Sequence, residues 1–311
     1  MAFSQGSRTR LSWIEEVTFA TTPAGNLQEI PFETHSLNLS KERVEGNDIQ
    51  SDRMNRVDRH GNKSAAGDVA VSLRDGNYDT WLESLMFGTW DNTPVGPDEL
   101  KVGTTLKSFT LEDYAADIDQ SRLFTGMAVS QASFSIAPNQ LVNVGFSFVG
   151  SDSSISATEK TVDASTTAQP FDAYSGALTI GDNGGALSAV TSVTSIDFTV
   201  NNSLAPTFVV GSDATPQLEY GRADIEGTIT AYFEDATLIN RFINETETAL
   251  KVTVNDPTAA NEYGFFFPRI KINGADVPVQ NEQSRLITIP FVSLYDTTEG
   301  SNLTITRPDT T

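Results

Sequence analysis

The chain has 311 residues, 38% of them hydrophobic, a formal net charge of -21 at pH 7 and no cysteine. That length and apolar content suit two modest globular domains and exclude a disordered chain. The charge excludes a groove that grips phosphates, because such affinity comes from Lys and Arg displacing counterions, and the lack of cysteine excludes a disulfide framework or thiolate site. The first ten residues contain no hydrophobic signal core, and no segment approaches the roughly 18 apolar residues of a membrane span. The expectation is a soluble chain without a Sec-type signal, suited to folding in a reducing cytoplasm.

In chain order, the first distinctive stretch is Lys41–Lys63, which carries Lys41, Arg43, Arg53, Arg56, Arg59 and Lys63 among Glu42, Glu45, Asp48, Asp52 and Asp58. It has neither a helical nor a strand period and reads as a long charged loop, 41–66. It is either a solvated flap or an interaction arm whose mixed charges set register. Gly67–Leu73 then alternates as a strand. After it, Tyr78, Trp81, Leu82, Leu85 and Met86 share one face of a helix that Asn77 or Asp79 can cap. Residues 88–105 hold Gly88, Asn92, Pro94, Gly96, Pro97 and Gly103 and read as an irregular insertion. Met127–Ile136 and Val144–Phe148 read as a hairpin through Ala137-Pro138-Asn139.

Ser151–Pro170 is rich in Ser, Thr, Ala and Asp and reads as a flexible linker. The second domain is expected to open with Tyr174–Ile180 and the turn Gly181–Gly185. Ile196, Phe198 and Val200 alternate with polar neighbours, as do Ile225, Ile229, Ala231 and Phe233 with Glu226, Thr228, Thr230, Tyr232 and Glu234. Period two with one polar face marks antiparallel sheets packed on one side and wet on the other. Asp235 is placed to cap a second helix whose core face is Leu238, Ile239, Phe242 and Ile243. A final hairpin is expected to join Ile270, Ile272, Val277 and Val279 to Ile287, Ile289 and Phe291.

The two halves resemble one another. Gly67–Leu82 aligns without a gap on Gly227–Phe242 at an offset of 160, and Phe109–Val149 on Val252–Val292 at 143. The difference is a seventeen-residue insertion in the first half. The expected fold is therefore all-β, a sandwich or barrel with one flanking helix per half. Its domains are 1–150 and 171–311, with 151–170 between them.

No catalytic signature is present. The two histidines, His35 and His60, lack a second ligand at metal spacing and read as surface or turn residues. Phosphate loop, nucleophile elbow and EF-hand spacing are all missing, so no cofactor or metal is expected.

Thr21-Thr-Pro-Ala-Gly25, Ser36–Lys41, the arm with Ser51-Asp-Arg53, Gly67–Val71 running into the helix, and Val193–Asn202 together resemble the tail tube proteins of long, non-contractile-tailed bacteriophages. The resemblance implies rings stacked into a hollow tube, with a long loop touching the adjacent ring. Single-domain members close a ring with six subunits, so a two-domain chain would close it with three. It further implies a virion protein, assembled in the host cytoplasm, that partners with itself, a tape measure protein, a tail terminator and a distal tail protein. Double-stranded DNA would pass through the lumen during ejection without specific binding.

On that reading Lys41, Arg43, Glu45, Asp48, Asp52, Arg53, Arg56 and Arg59 form the inter-ring contact. Asp68, Ser72, Glu226, Thr228, Thr230 and Glu234 face the lumen, with Ala70 and Tyr232 beside them, and Trp81, Leu82, Leu85, Leu238 and Phe242 are helix core. A distal-tail or glycan-binding β-sandwich module of a virion is the alternative, and a carboxylate-based hydrolase a third reading.

Overall fold

The computed structural model describes residues 3–49, 51–52, 54, 56–92, 96–257, 261–279, 282 and 284–308. After a short 3-10 turn (Gly6–Arg8) come β1 (Thr9–Glu15), β2 (Leu27–Ile30), β3 (Thr34–His35), β4 (Asn38–Glu45) and β5 (Asp58–Ser72). The first half continues with α1 (Asp79–Met86), β6 (Asp98–Lys101), β7 (Phe109–Ala115), β8 (Gln120–Ile136) and β9 (Asn143–Gly150). β10 (Asp152–Ser156) and β11 (Val162–Asp163) follow. Beyond them lie β12 (Asp172–Asp182), β13 (Ser188–Ala189), β14 (Val193–Asn201), β15 (Ala205–Pro206), β16 (Leu218–Glu219) and β17 (Asp224–Tyr232). α2 (Thr237–Ile243), β18 (Thr248–Asn255), β19 (Glu262–Ile272), β20 (Leu286–Ser293) and β21 (Thr304–Arg307) complete the chain. The fold is all-β with one helix in each half.

In the first half the strands pair in the order β4–β5–β9–β8–β7–β1–β2. In the second the order is β14–β17–β20–β19–β18–β12–β13. The registers coincide as well as the order. Gly67 lies opposite Phe148 and Gly227 opposite Phe291. Val129 lies opposite Phe148 and Ile272 opposite Phe291, while Leu111 faces Phe124 as Leu250 faces Phe267.

That last pair corrects the gapless alignment. β18 sits four residues earlier than expected, so Leu250, not Val254, is the counterpart of Leu111, and the β18–β19 turn is longer to compensate. Strand pattern could not reveal this, because an even slip leaves every side chain on its original face.

Both glycines of the matched strands are required by close approach. A Cβ on Gly67 would lie 2.6 Å from the Leu37 backbone, and one on Gly227 would lie 2.4 Å from the Phe291 ring.

Alternation builds one large core that spans both halves, with a small separate cluster of Phe87, Ala128, Leu204 and Leu218. Trp81, Leu82 and Leu85 are fully buried, with Trp81 edge-on to Phe146 and Phe148. Each such side chain contributes about 1.5–3 kcal/mol. Neither expected cap of α1 operates: Tyr78 is the N-cap residue, without a side-chain bond. Asn77 accepts hydrogen bonds from Thr166 instead, and Asp79 turns to Arg307. At α2 the N-cap residue is Ala236, and Asp235, just before it, accepts the Thr237 N–H at 2.8 Å.

Four other expectations change. The charged loop is a β-hairpin, β4 paired with β5 as far as Glu45 and Asp58. The segment 151–170 is not a free tether: β10 pairs with β8, and β11 runs parallel to β2. The insertion is not wholly irregular, since β6 pairs with β21, which in turn pairs with β19. The second hairpin is shorter than expected, because β19 ends at Ile272 and only a bridge between Asp276 and Thr288 continues it.

Candidate assembly surfaces

Four surfaces are candidates for function: a polar sheet face, the charged hairpin, the junction between halves and the outer face of α2. The junction is strand pairing. The last residues of β8 pair with β14, Ile136 opposite Ile196 and Phe134 opposite Phe198, whose rings stack at 4.6 Å. One sheet thus runs from β4 in the first half through β8 and β14 to β19 in the second.

Around the β8–β14 junction the outward side chains of that sheet are short and polar. Ser147 donates to Asp68 at 2.6 Å and Ser135 to Asp197 at 2.6 Å, while the Ser133 and Thr199 hydroxyls lie 3.4 Å apart. Glu226, Thr228 and Thr230 of β17 continue the same alternation. From Ala66 to Ser72 of β5, from Gln131 to Ile136 of β8, and along the outward positions of β9, β14, β17 and β20, the ionised groups are carboxylates: Asp68, Asp197, Asp224 and Glu226. Two expected members differ. Ser72 is buried and donates to Glu33 at 2.5 Å, and Glu234 lies beyond the end of β17.

In the hairpin, Arg43 bridges Glu45 at 2.5 Å and Asp58 at 2.7 Å, and Arg56 pairs with Asp52. Hydrogen bonding raises Arg43 and lowers the Asp52 carboxyl, first through Asp58 and Arg56 respectively. Lys41, Asp48 and Arg59 form no ion pair among the described residues, and Arg53 lies outside them. At the hairpin base Lys63 reaches Asp152 and Asp213. The corresponding connection in the second half, between β14 and β17, does not project. It lies against the first half, with Asn202 donating to the Leu85 carbonyl, Ser151 to the Thr215 carbonyl, and Tyr220 edge-on to Phe87.

A buried charged cluster clamps the halves together. Arg307 contacts Asp98 at 3.0 Å and also Asp79, which accepts a hydrogen bond from Tyr263; the guanidinium lies 4.4 Å from the centre of the Trp90 ring. Burial pushes the Asp79 carboxyl up, against the opposing pull of Tyr263 and Arg307. Burial and the adjacent carboxylate push the Tyr263 hydroxyl well above its ordinary value. Burial works against the Arg307 charge, but Asp79 and Asp98 outweigh it and hold that charge firmly. Sequence reading missed this cluster because its members are spread over four elements, α1, β6, β19 and β21, and the loop bearing Trp90, with no shared period.

The helices differ. No residue of α2 is buried: Leu238 is half-buried, Phe242 is 38% exposed and Ile243 is 65% exposed. Phe242 is therefore not core, since nothing equivalent to β6 and β21 lies over α2. His35 is likewise not a surface residue; it is half-buried in β3 with Nε2 3.6 Å from Asp113. The tryptophans offer no exposed glycan platform: Trp81 is buried, and Trp13 and Trp90 are packed against the core. Among the described residues no group of three or more His, Cys, Asp or Glu could hold a metal ion, and no helix is long and apolar enough to cross a membrane.

No curated protein matches the chain. The model of a family described as phage tail tube protein matches residues 6–293, nearly the whole length. That description fits an all-β subunit with continuous sheet edges, and it carries self-assembly into a tube with it. The chain belongs to the phage tail tube protein family and is a structural protein of the virion tail.

Proposed function

We propose that this chain is a tandem duplication of one tail-tube domain, and that three copies close a ring of six quasi-equivalent positions. The observation that carries the reading is the register equivalence of β4–β5–β9–β8–β7–β1–β2 with β14–β17–β20–β19–β18–β12–β13. A protein that already joins two such units edge to edge through β8 and β14 has the geometry a closed ring repeats.

The polar face, with Asp68, Asp197, Glu226, Thr228 and Thr230, lines the lumen. Its carboxylates repel DNA phosphates, so double-stranded DNA slides through during ejection without binding. The exposed end of the β4–β5 hairpin, with Arg43, Glu45 and Asp58, makes the contact between stacked rings, its exposed ion pairs being weak singly and additive as a set. Tape measure, terminator and distal tail proteins are the partners such a tube implies, with assembly in the host cytoplasm before the tail joins the virion. The role is structural and non-enzymatic.

Electron cryomicroscopy of assembled protein tests the stoichiometry: three chains per ring is the expected result, and six chains would overturn it. Replacing residues 46–57 by an Asn-Gly turn, a sequence suited to two-residue hairpins, tests the arm. The expected product is a folded protein that forms single rings and no long tubes; normal tubes would make the hairpin a solvated flap.

A further inference from the structure

Resting on the ring reading, we infer that a second copy of this chain pairs its β3–β4 edge with residues 275–279, in the register Val279 opposite His35, Val277 opposite Leu37 and Ala275 opposite Leu39. The template is the junction inside the chain, where Ile136, Phe134 and Ala132 face Ile196, Phe198 and Val200. Asp276 bridges Thr288 as Ser133 pairs with Gly145, so Val277 stands where Phe134 does. Asn38 faces Ala66 as Thr199 faces Glu226, so Leu37 stands where Phe198 does.

The backbone supplies an independent check. Asp276 exchanges both of its backbone hydrogen bonds with Thr288, at 3.0 and 2.9 Å, and Ser36 donates to Asp68 at 2.9 Å. Because peptide groups alternate sides along a strand, Ala275, Val277 and Val279 turn their N–H and C=O groups away from β20, where the Val277 C=O accepts a hydrogen bond at 2.7 Å from Arg285, a contact that pairing must share or displace. Ser36 likewise leaves His35, Leu37 and Leu39 pointing away from β5. The proposed register sets these two rows directly against each other. It also leaves Pro278, which has no N–H, facing its own β20, where it breaks no contact between copies.

Side chains agree with the backbone. Ile136, covered by the second half, is 8% exposed, whereas its counterpart Val279 is 74% exposed. On the opposite face Asn38 meets Asp276 where Thr199 meets Ser133 at 3.4 Å, and an amide beside a carboxylate can donate to it.

The native chain contains no cysteine, so a cross-link reads the register directly. The double variant Asn38→Cys/Asp276→Cys, made in the full chain and mildly oxidised, should give a reducible covalent species of three chains on a non-reducing gel. Moving one thiol two positions, in Ser40→Cys/Asp276→Cys, should cut the yield to about one-tenth. Diagonal Cβ atoms stand about 7–8 Å apart, and a disulfide needs roughly 3.5–4.5 Å. All three sites are exposed, and thermal unfolding checks that both variants fold. Equal cross-linking in both variants, or rings without any cross-link, would overturn the register and leave the tube standing. Protein that stays monomeric when concentrated and forms no cross-link would overturn both.

Discussion

The helices α1 and α2 begin from the same amphipathic pattern and end in different environments. Trp81, Leu82 and Leu85 are fully buried, while Phe242 and Ile243 face solvent. Over α1 lie the insertion bearing Trp90, the β6–β21 pair and the Arg307 cluster, all drawn from parts of the chain the second half does not repeat. Periodicity therefore specifies a face that wants covering. It does not specify what covers it, or whether the cover belongs to the same molecule.

The sharpest way to break this comparison is to remove the clamp. Arg307→Ala should destabilise the chain by about 3–5 kcal/mol, because it takes the cation away from the partly buried Asp79 and the buried Asp98 carboxylates. Chemical denaturation measures it; a change under about 1 kcal/mol, nearer the worth of an exposed pair, would mean the cluster is solvated.

Next come the helices themselves. Leu82→Ala should cost about 2–5 kcal/mol, and Phe242→Ala in the unassembled chain less than about 1 kcal/mol. Equal costs would show that α2 is buried after all.

The matched glycines give a smaller effect in both halves. Gly67→Ala and Gly227→Ala should each cost about 1–3 kcal/mol through overpacking, with Gly67 the worse because its obstacle is backbone and the obstacle at Gly227 is a ring that can shift. Thermal melts of the two variants rank them.

The smallest effect concerns charge. Asp113 of β7 faces Arg122, where the second half sets Val252 against Phe265. Burial raises the Asp113 carboxyl, but contacts from His35 and Arg122 outweigh burial and hold it below its ordinary value of 3.8. A depressed carboxylate contributes stability that is fully present above that ordinary value and is lost as pH falls through the folded value. Melting temperature should therefore drop more on acidification below pH 3.8 in the native chain than in Asp113→Asn. Parallel curves would remove Asp113 from the acid response.

The legible part of the fold was whatever alternates. Phe109, Leu111, Val144, Phe146, Ile287 and Ile289 announce buried strand faces, and Gly67 and Gly227 reveal the repeat. The hairpin of β4 and β5 stayed hidden because beyond Leu39 its residues are almost all polar, so nothing alternates while the backbone bonds hold the pairing. β10 and β11 resemble a tether for the same reason: they hold only two large apolar side chains, Ile155, which is exposed, and Val162. The seam residues were invisible because long-range pairing leaves no local trace: nothing near Asp98 points to Arg307.

That pairing also governs timing. The Arg307–Asp98 bond joins residues 209 positions apart, and among the described residues β6 has no other strand partner than β21. Contacts this distant form late, since the intervening chain must first be synthesised and its loop closed. Until then the surface around Trp90 and Tyr263 stays open, and a shortened translation product lacking 304–307 keeps it open permanently. β21 is thus the closing piece of the junction: a chain acquires the Arg307 cluster only after it has been made through Arg307.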